Sequence, residues 1–110
     1  MKSPAKPSKY RNVITEIDGM RFDSRAEAKR WRDLKMLERA GLVANIRRQV
    51  RFPIVWNGTK ICDYVADFVY READKAGDTI EDVKGAKTAT YRIKAKLMAA
   101  QGLPIREVKA

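Results

Sequence analysis

Ile80-Glu81-Asp82-Val83-Lys84-Gly85 reads as a short strand closed by a glycine, and the rest of the chain is read outward from it. In an extended strand side chains alternate faces, so Asp82 and Lys84 project from one side and Glu81 and Val83 from the other. A carboxylate and an ammonium then share one surface. A magnesium site takes hard oxygen ligands, usually one or two carboxylates completed by water and substrate phosphate. Asp82 is a ligand of that kind. Lys84, one strand step on, stands where an ammonium would hold an attacking water and stabilise charge developing on a phosphate. The plain alternative is an exposed ion pair. Glu81, of opposite parity, reads as an outer-face charge.

Upstream, Asn57-Gly58 is a strong hairpin turn. It joins a strand over Ile46–Trp56, in which Pro53 marks an edge or a bulge, to a strand over Lys60–Tyr70. Strict alternation in the latter sets Asp63, Val65, Asp67 and Val69 against Tyr64, Ala66, Phe68 and Tyr70. Asp67 is thus a carboxylate in mid-strand between apolar neighbours, a placement that strand propensity disfavours. Asp63 shares its facing and is a rival or auxiliary ligand. Cys62 reads as a core thiol, and Arg71–Asp78 as a solvated loop.

Downstream, a helix is expected from about Thr88 to Gln101, stopped by Gly102 and Pro104. Ala89, Ile93, Leu97 and Ala100 form its expected buried stripe. Ile105–Lys109 reads as a last strand.

Toward the N-terminus, Ser24-Arg25-Ala26-Glu27 opens a helix running to about Ala40, with Gly41 as its stop and Ala28, Trp31, Leu34 and Leu37 as its apolar stripe. With Glu27 at zero, Trp31 falls at about +40° and Leu34 at about −20°, so Glu27 lies within the stripe that faces the core. Two readings of this carboxylate stand side by side. Ser24 and Glu27 fit a capping box, in which the glutamate bonds back to the cap residue; alternatively Glu27 is a third acidic ligand, and one carboxylate does not easily do both. Before the helix, Tyr10–Asp23 reads as a hairpin turning at Asp18-Gly19. Residues 1–9, rich in Pro, Ser and Lys, read as a disordered basic arm, leaving 10–110 as one domain.

The composition limits the chemistry. In 110 residues, 24 Lys and Arg oppose 14 Asp and Glu, a net charge of +10. That points to a polyanion. Without a long apolar run, nucleic acid fits better than a membrane. No histidine is present, which removes Ser-His and Cys-His nucleophile pairs and His-bearing metal sites. The single cysteine removes disulfides and fits a reducing cytoplasm. Carboxylate, lysine and a hard metal remain. Lys87, Arg92, Lys94 and Lys96 on the second helix, Arg25 on the first, and Lys9 and Arg11 near the arm are the basic residues expected to meet phosphate; an ordinary solvated face is the competing reading.

Beyond the first hairpin the order is helix, strand, strand, strand, helix, strand. Short connections favour an antiparallel meander, and the helical crossover returns the last strand to the same sheet. The expected class is α/β (α+β), a mixed sheet flanked by two helices with an extra N-terminal hairpin. This order and its acidic positions resemble the PD-(D/E)XK nuclease superfamily, with its restriction-endonuclease-like αβββαβ core. Matching residues are Glu27 on the helix, Asp67 on a strand, and Asp82 with Lys84 on the next. The chain is also similar to small phage and prophage proteins of that superfamily through Phe22-Asp23-Ser24-Arg25-Ala26-Glu27, Tyr64-Val65-Ala66-Asp67-Phe68 and Glu81-Asp82-Val83-Lys84-Gly85. It departs from the pattern in having Ala66 where a proline often precedes the strand Asp, and Asp82 where Glu is commoner.

The resemblance implies metal-dependent phosphodiester hydrolysis, leaving 5′-phosphate and 3′-hydroxyl ends. Asp67 and Asp82 would bind Mg2+ or Mn2+, Glu27 a second ion or a water beside the first, and Lys84 would orient the nucleophilic water. Branched DNA is the substrate it implies, as for Holliday-junction resolvases, in the cytoplasm of a bacterial host. A homodimer is expected, because paired incisions across a junction need two sites. A non-catalytic DNA-binding or packaging protein that keeps the fold is the alternative.

Overall fold

Two tight turns set the antiparallel pairing. In Asp18-Gly19 and Asn57-Gly58 both residues have positive φ, 54° and 77° in the first and 50° and 75° in the second. That is the type I′ geometry, whose twist matches the flanking strands. The computed structural model describes residues 14–110. The arm over residues 1–9 and the first residues of the hairpin, with Lys9 and Arg11, lie outside the described residues.

The first turn joins β1 (Thr15–Ile17) to β2 (Met20–Phe22) as a separate two-stranded sheet, and α1 (Arg25–Arg39) follows. The second joins β3 (Val43–Trp56) to β4 (Thr59–Glu72). β5 (Asp78–Lys84), α2 (Ala89–Ala100) and β6 (Ile105–Lys109) complete a mixed α+β fold whose main sheet has the order β3-β4-β5-β6. β3, β4 and β5 run antiparallel in succession, and α2 carries the chain over to β6, which pairs parallel to β5. β3 begins earlier than the apolar pattern suggested, at Val43, and Pro53 does lie on an edge strand.

Both helices end as expected. Gly41 has φ +80°, with Gly41 N–H donating to Glu38 O (3.0 Å) and Leu42 N–H to Leu37 O (2.9 Å). This is a Schellman motif, which satisfies carbonyls left without helical partners. Gly102, at φ +84°, repeats it with bonds to Ala99 and Met98.

The helices cover opposite faces of the sheet. On one, Ala28, Trp31 and Leu34 of α1 pack with Phe22, Val43, Phe68 and Tyr70. On the other, Tyr91 and Met98 of α2 pack with Ile54, Tyr64, Ala66, Val69 and Ile80. The α1 stripe is the one expected; the α2 stripe is not. Ile93 is 61 % exposed, while Tyr91 and Met98 are buried and Ala95 and Leu97 partly so. Ile93 lies about 200° round the helix from Tyr91, and burying the larger ring, whose hydroxyl bonds Glu107 at 2.8 Å, sets the rotation. Cys62 is only half-buried, at the margin of this cluster.

The extra N-terminal hairpin is present as expected and packs into the core: Phe22 is fully buried, Ile17 and Met20 pack on the α1 cluster, and Trp31 Nε1 donates to Asp18 (3.0 Å). Burying one such ring contributes roughly 1.5–3 kcal/mol. Glu81, expected as an outer-face charge, is 0 % exposed. Its parity was read correctly, but that face is covered by α1, and Arg30 neutralises the charge there.

Candidate active site

The site forms where β4 and β5 separate. Their antiparallel ladder runs from Arg71↔Asp78 to Phe68↔Glu81 and stops. At that point β4 also slips phase: Ala66 belongs to the α2-side cluster and Phe68 to the α1-side cluster, although strict alternation puts both on one face. Opposite the slip, Gln49 of β3 has φ +51°, a left-handed backbone uncommon for a residue with a Cβ. Asp67 occupies the slip. Its Oδ2 accepts from Val83 N–H of β5 (2.9 Å), where a backbone ladder bond would otherwise be sought, and its Oδ1 from Gln49 Nε2 (3.4 Å).

Asp82 lies beside it, 2 % exposed, accepting from Tyr64 OH at 2.5 Å and facing Lys84 Nζ at 3.7 Å. Burial first, then the neighbouring Asp67 carboxylate, raise its pKa from 3.8 to about 8, with Tyr64 and Lys84 opposing. Two carboxylates this close hold either a proton or a cation between them. Tyr64, deprived of solvent and bonded to Asp82, is pushed far up and stays a hydroxyl donor. Lys84 Nζ also stands 4.2 Å from the centre of the Tyr91 ring, a cation–π contact.

Glu27 reaches the same place from α1. Its backbone N–H donates to Ser24 Oγ (3.1 Å), one half of the capping box. No return bond from the Glu27 carboxylate to Ser24 accompanies it among the described residues. Burial first, then the charges of Asp67 and Asp23, raise its pKa to about 7, with Arg48 and Lys84 opposing. Glu27, Asp67, Asp82 and Lys84, from three elements, therefore share one electrostatic neighbourhood. Asp63 is not part of it. Four residues along β4, about 13 Å, its carboxylate pairs with Arg51 (3.3 Å) and Lys60 (3.0 Å).

Among the described residues no group of three acidic or cysteine side chains closes round a common point. The donor set fits a hard divalent cation in part: half-buried Asp67 and buried Asp82 offer neighbouring carboxylates, and the remaining positions would fall to water or phosphate oxygens.

From Lys84 a shallow basic cleft runs past Lys87 and Lys109 and continues over α2 between Tyr91, Arg92 and Lys96. Lys87 pairs with Glu107 (2.7 Å), and Arg25, Arg92 and Lys96 are exposed. Lys94 is engaged with backbone instead of standing free: it donates to the Asp63 carbonyl at 2.8 Å. The sequence reading passed over Tyr64, Tyr91 and Glu107. Strict alternation puts Tyr64 on the face opposite Asp67, and only the slip brings both to Asp82; the Tyr91 and Glu107 contacts need the tertiary crossover, so none of the three had a signal in the sequence.

A family model described as "Protein of unknown function (DUF1064)" matches residues 7–110, and the chain belongs to that family. No curated protein and no solved structure matches it. Among the described residues no helix is long and apolar enough to cross a membrane.

Proposed function

We propose that this member of the DUF1064 family is a Mg2+- or Mn2+-dependent DNA endonuclease with a PD-(D/E)XK-type core, acting as a homodimer on branched DNA. One observation carries the reading: Glu27, Asp67, Asp82 and Lys84, spread over three elements and matched through the superfamily resemblance, gather where β4 and β5 part. Asp67 and Asp82 would hold the cation, which when bound neutralises phosphate charge and polarises the scissile phosphate. Glu27, half-buried with a pKa near neutrality, suits holding a proton or a second ion beside the attacking water. Lys84, its ammonium set between Asp82 and the Tyr91 ring, orients that water and meets negative charge developing on the phosphate. The cleft over α2 and the net charge of +10 supply backbone contacts without base readout.

A second reading has its own support. The lack of a closed three-acid cluster among the described residues favours a DNA-binding protein whose Asp67-Asp82 pair retains a proton. Incubation with linear, nicked, flapped and four-way DNA in Mg2+, Mn2+ or EDTA separates the two. Metal-dependent incision preferring the four-way DNA is expected; tight binding with no incision in either metal would leave the binding reading. Light scattering tests the dimer, and a free species of 12.6 kDa together with a junction complex heavier than the DNA by one chain only would remove it.

A further inference from the structure

We infer that the distal end of the β3–β4 ribbon, with Trp56 at its tip, is a nucleic-acid contact that stacks on an unpaired base; as a choice of substrate feature it rests on the reading above. β4 leaves β5 after Phe68, so from Ala66 outward it pairs with β3 alone. At the far end Trp56 is 68 % exposed, with Val55 (45 %) and Ile61 (56 %) beside it. This exposed apolar group is held firmly. The Asn57-Gly58 turn is the tight I′ type, and Gln101 at the end of α2 accepts from Val55 N–H (2.7 Å) and donates to Pro53 O (3.2 Å).

Charge identifies the occupant. Lys60 lies beside the turn and Arg51 farther down the ribbon, both paired with Asp63 (3.0 and 3.3 Å), on a chain of net charge +10. A second copy docking at this tip would set Lys60 and Arg51 against their own copies, whereas a polyanion neutralises them. A rigid, exposed ring on a strongly basic chain is what base stacking uses. The ring reaches a base face where the stack is already open, because opening an intact step carries its own energetic cost. Branch points and flaps provide that; continuous duplex does not. Eight strand residues separate Asp67 from Thr59, the partner of Trp56. The tip thus lies about 27 Å from the carboxylates along the ribbon, about eight base-pair rises for DNA lying along it.

The test needs no catalysis. Wild type, Trp56→Ala and Trp56→Phe are titrated in EDTA against four-way DNA carrying an unpaired 2-aminopurine beside the branch, and against continuous duplex of equal length. Trp56→Ala should lose roughly 5- to 150-fold in affinity for the branched DNA, the effect of one stacked base, and under twofold for duplex. Trp56→Phe should recover most of the loss, and 2-aminopurine fluorescence should be quenched by wild type only. Unchanged affinity in Trp56→Ala, or equal loss on both DNAs, overturns the inference. A free wild-type dimer that becomes a monomer in Trp56→Ala does so too, by assigning the ring to contact between copies. Adding Mg2+ tests the nuclease reading separately: Trp56-dependent binding to a junction that is never cut keeps this contact and removes that activity.

Discussion

Glu81 and Asp82 are consecutive acids on one strand, 0 % and 2 % exposed, and they live in opposite circumstances. Glu81 faces α1. Arg30 grips it with two bonds, 2.6 and 2.9 Å, Tyr70 OH donates at 2.5 Å, and Arg106 braces Tyr70 at 3.0 Å. Asp82 faces α2. It has one tyrosine, an ammonium 3.7 Å away, and another carboxylate as neighbour. A buried charge is tolerable when paired and fully bonded. By that standard Glu81 is a finished structural element and Asp82 an unfinished one, and groups left short of counter-charge in a cleft are where function is sought.

The contrast is broken most severely in activity. Asp82→Ala should lose roughly a thousandfold or more in cleavage, the several kcal/mol that a metal supplies, while DNA binding survives or tightens as a negative charge leaves. Cleavage at the wild-type rate in Mg2+ would show the site assignment to be wrong. On the other face the same kind of lesion should act on folding. Arg30→Ala strands Glu81 without its partner and should cost about 3–5 kcal/mol in urea denaturation. Asp82→Asn, which keeps an acceptor for Tyr64, should cost far less; a matching loss would mean that both acids are structural.

Lys84→Ala should lower turnover about 10²–10³-fold with metal affinity largely kept, since the ammonium acts on water and phosphate. Calorimetry showing Mn2+ binding lost in proportion would make Lys84 a structural residue. The smallest effect is a slope with pH. Burial and like charge raise Glu27 from 4.5 to about 7 and Asp82 from 3.8 to about 8, so the folded state holds protons that the unfolded chain has released. Their stabilising contribution is full below about pH 4 and is lost as pH rises through 7 and 8. In EDTA the melting temperature should therefore fall between pH 5 and pH 8.5, and Glu27→Gln or Asp82→Asn should flatten the fall. A level wild-type profile would remove the frustrated pair from the account. Glu27→Gln also decides between cap and ligand: a folded variant that cuts normally leaves only the cap.

Much of this is legible in the sequence alone. Asp18-Gly19, Asn57-Gly58, Gly41 and Gly102 mark turns and helix ends because each demands positive φ, a strictly local property. Asp67, Asp82 and Lys84 stood out because charged side chains interrupt apolar strands. What the sequence concealed is long-range. Parity assigns Glu81 a face, yet only the fold says that Arg30, 51 residues earlier, covers it. The stripe Ala89-Ile93-Leu97 obeys helical spacing as well as Tyr91-Ala95-Met98 does, and the choice belongs to the sheet beneath. The slip at Asp67 leaves no mark in the alternation, because alanine and phenylalanine suit either face.

Lys94 has a bearing on how the protein behaves when concentrated. Beyond Phe68 one edge of β4 faces no strand, and Pro53, opposite Asp63, has no N–H to offer. The Lys94 ammonium occupies the Asp63 carbonyl on that stretch, a charged guard on backbone that would otherwise template a foreign strand. With methionine at position 94, Ile61–Val65 would present an apolar strand with that carbonyl uncovered. Such a variant should melt close to wild type yet sediment on standing at high concentration, so that Lys94 governs storage life more than folding.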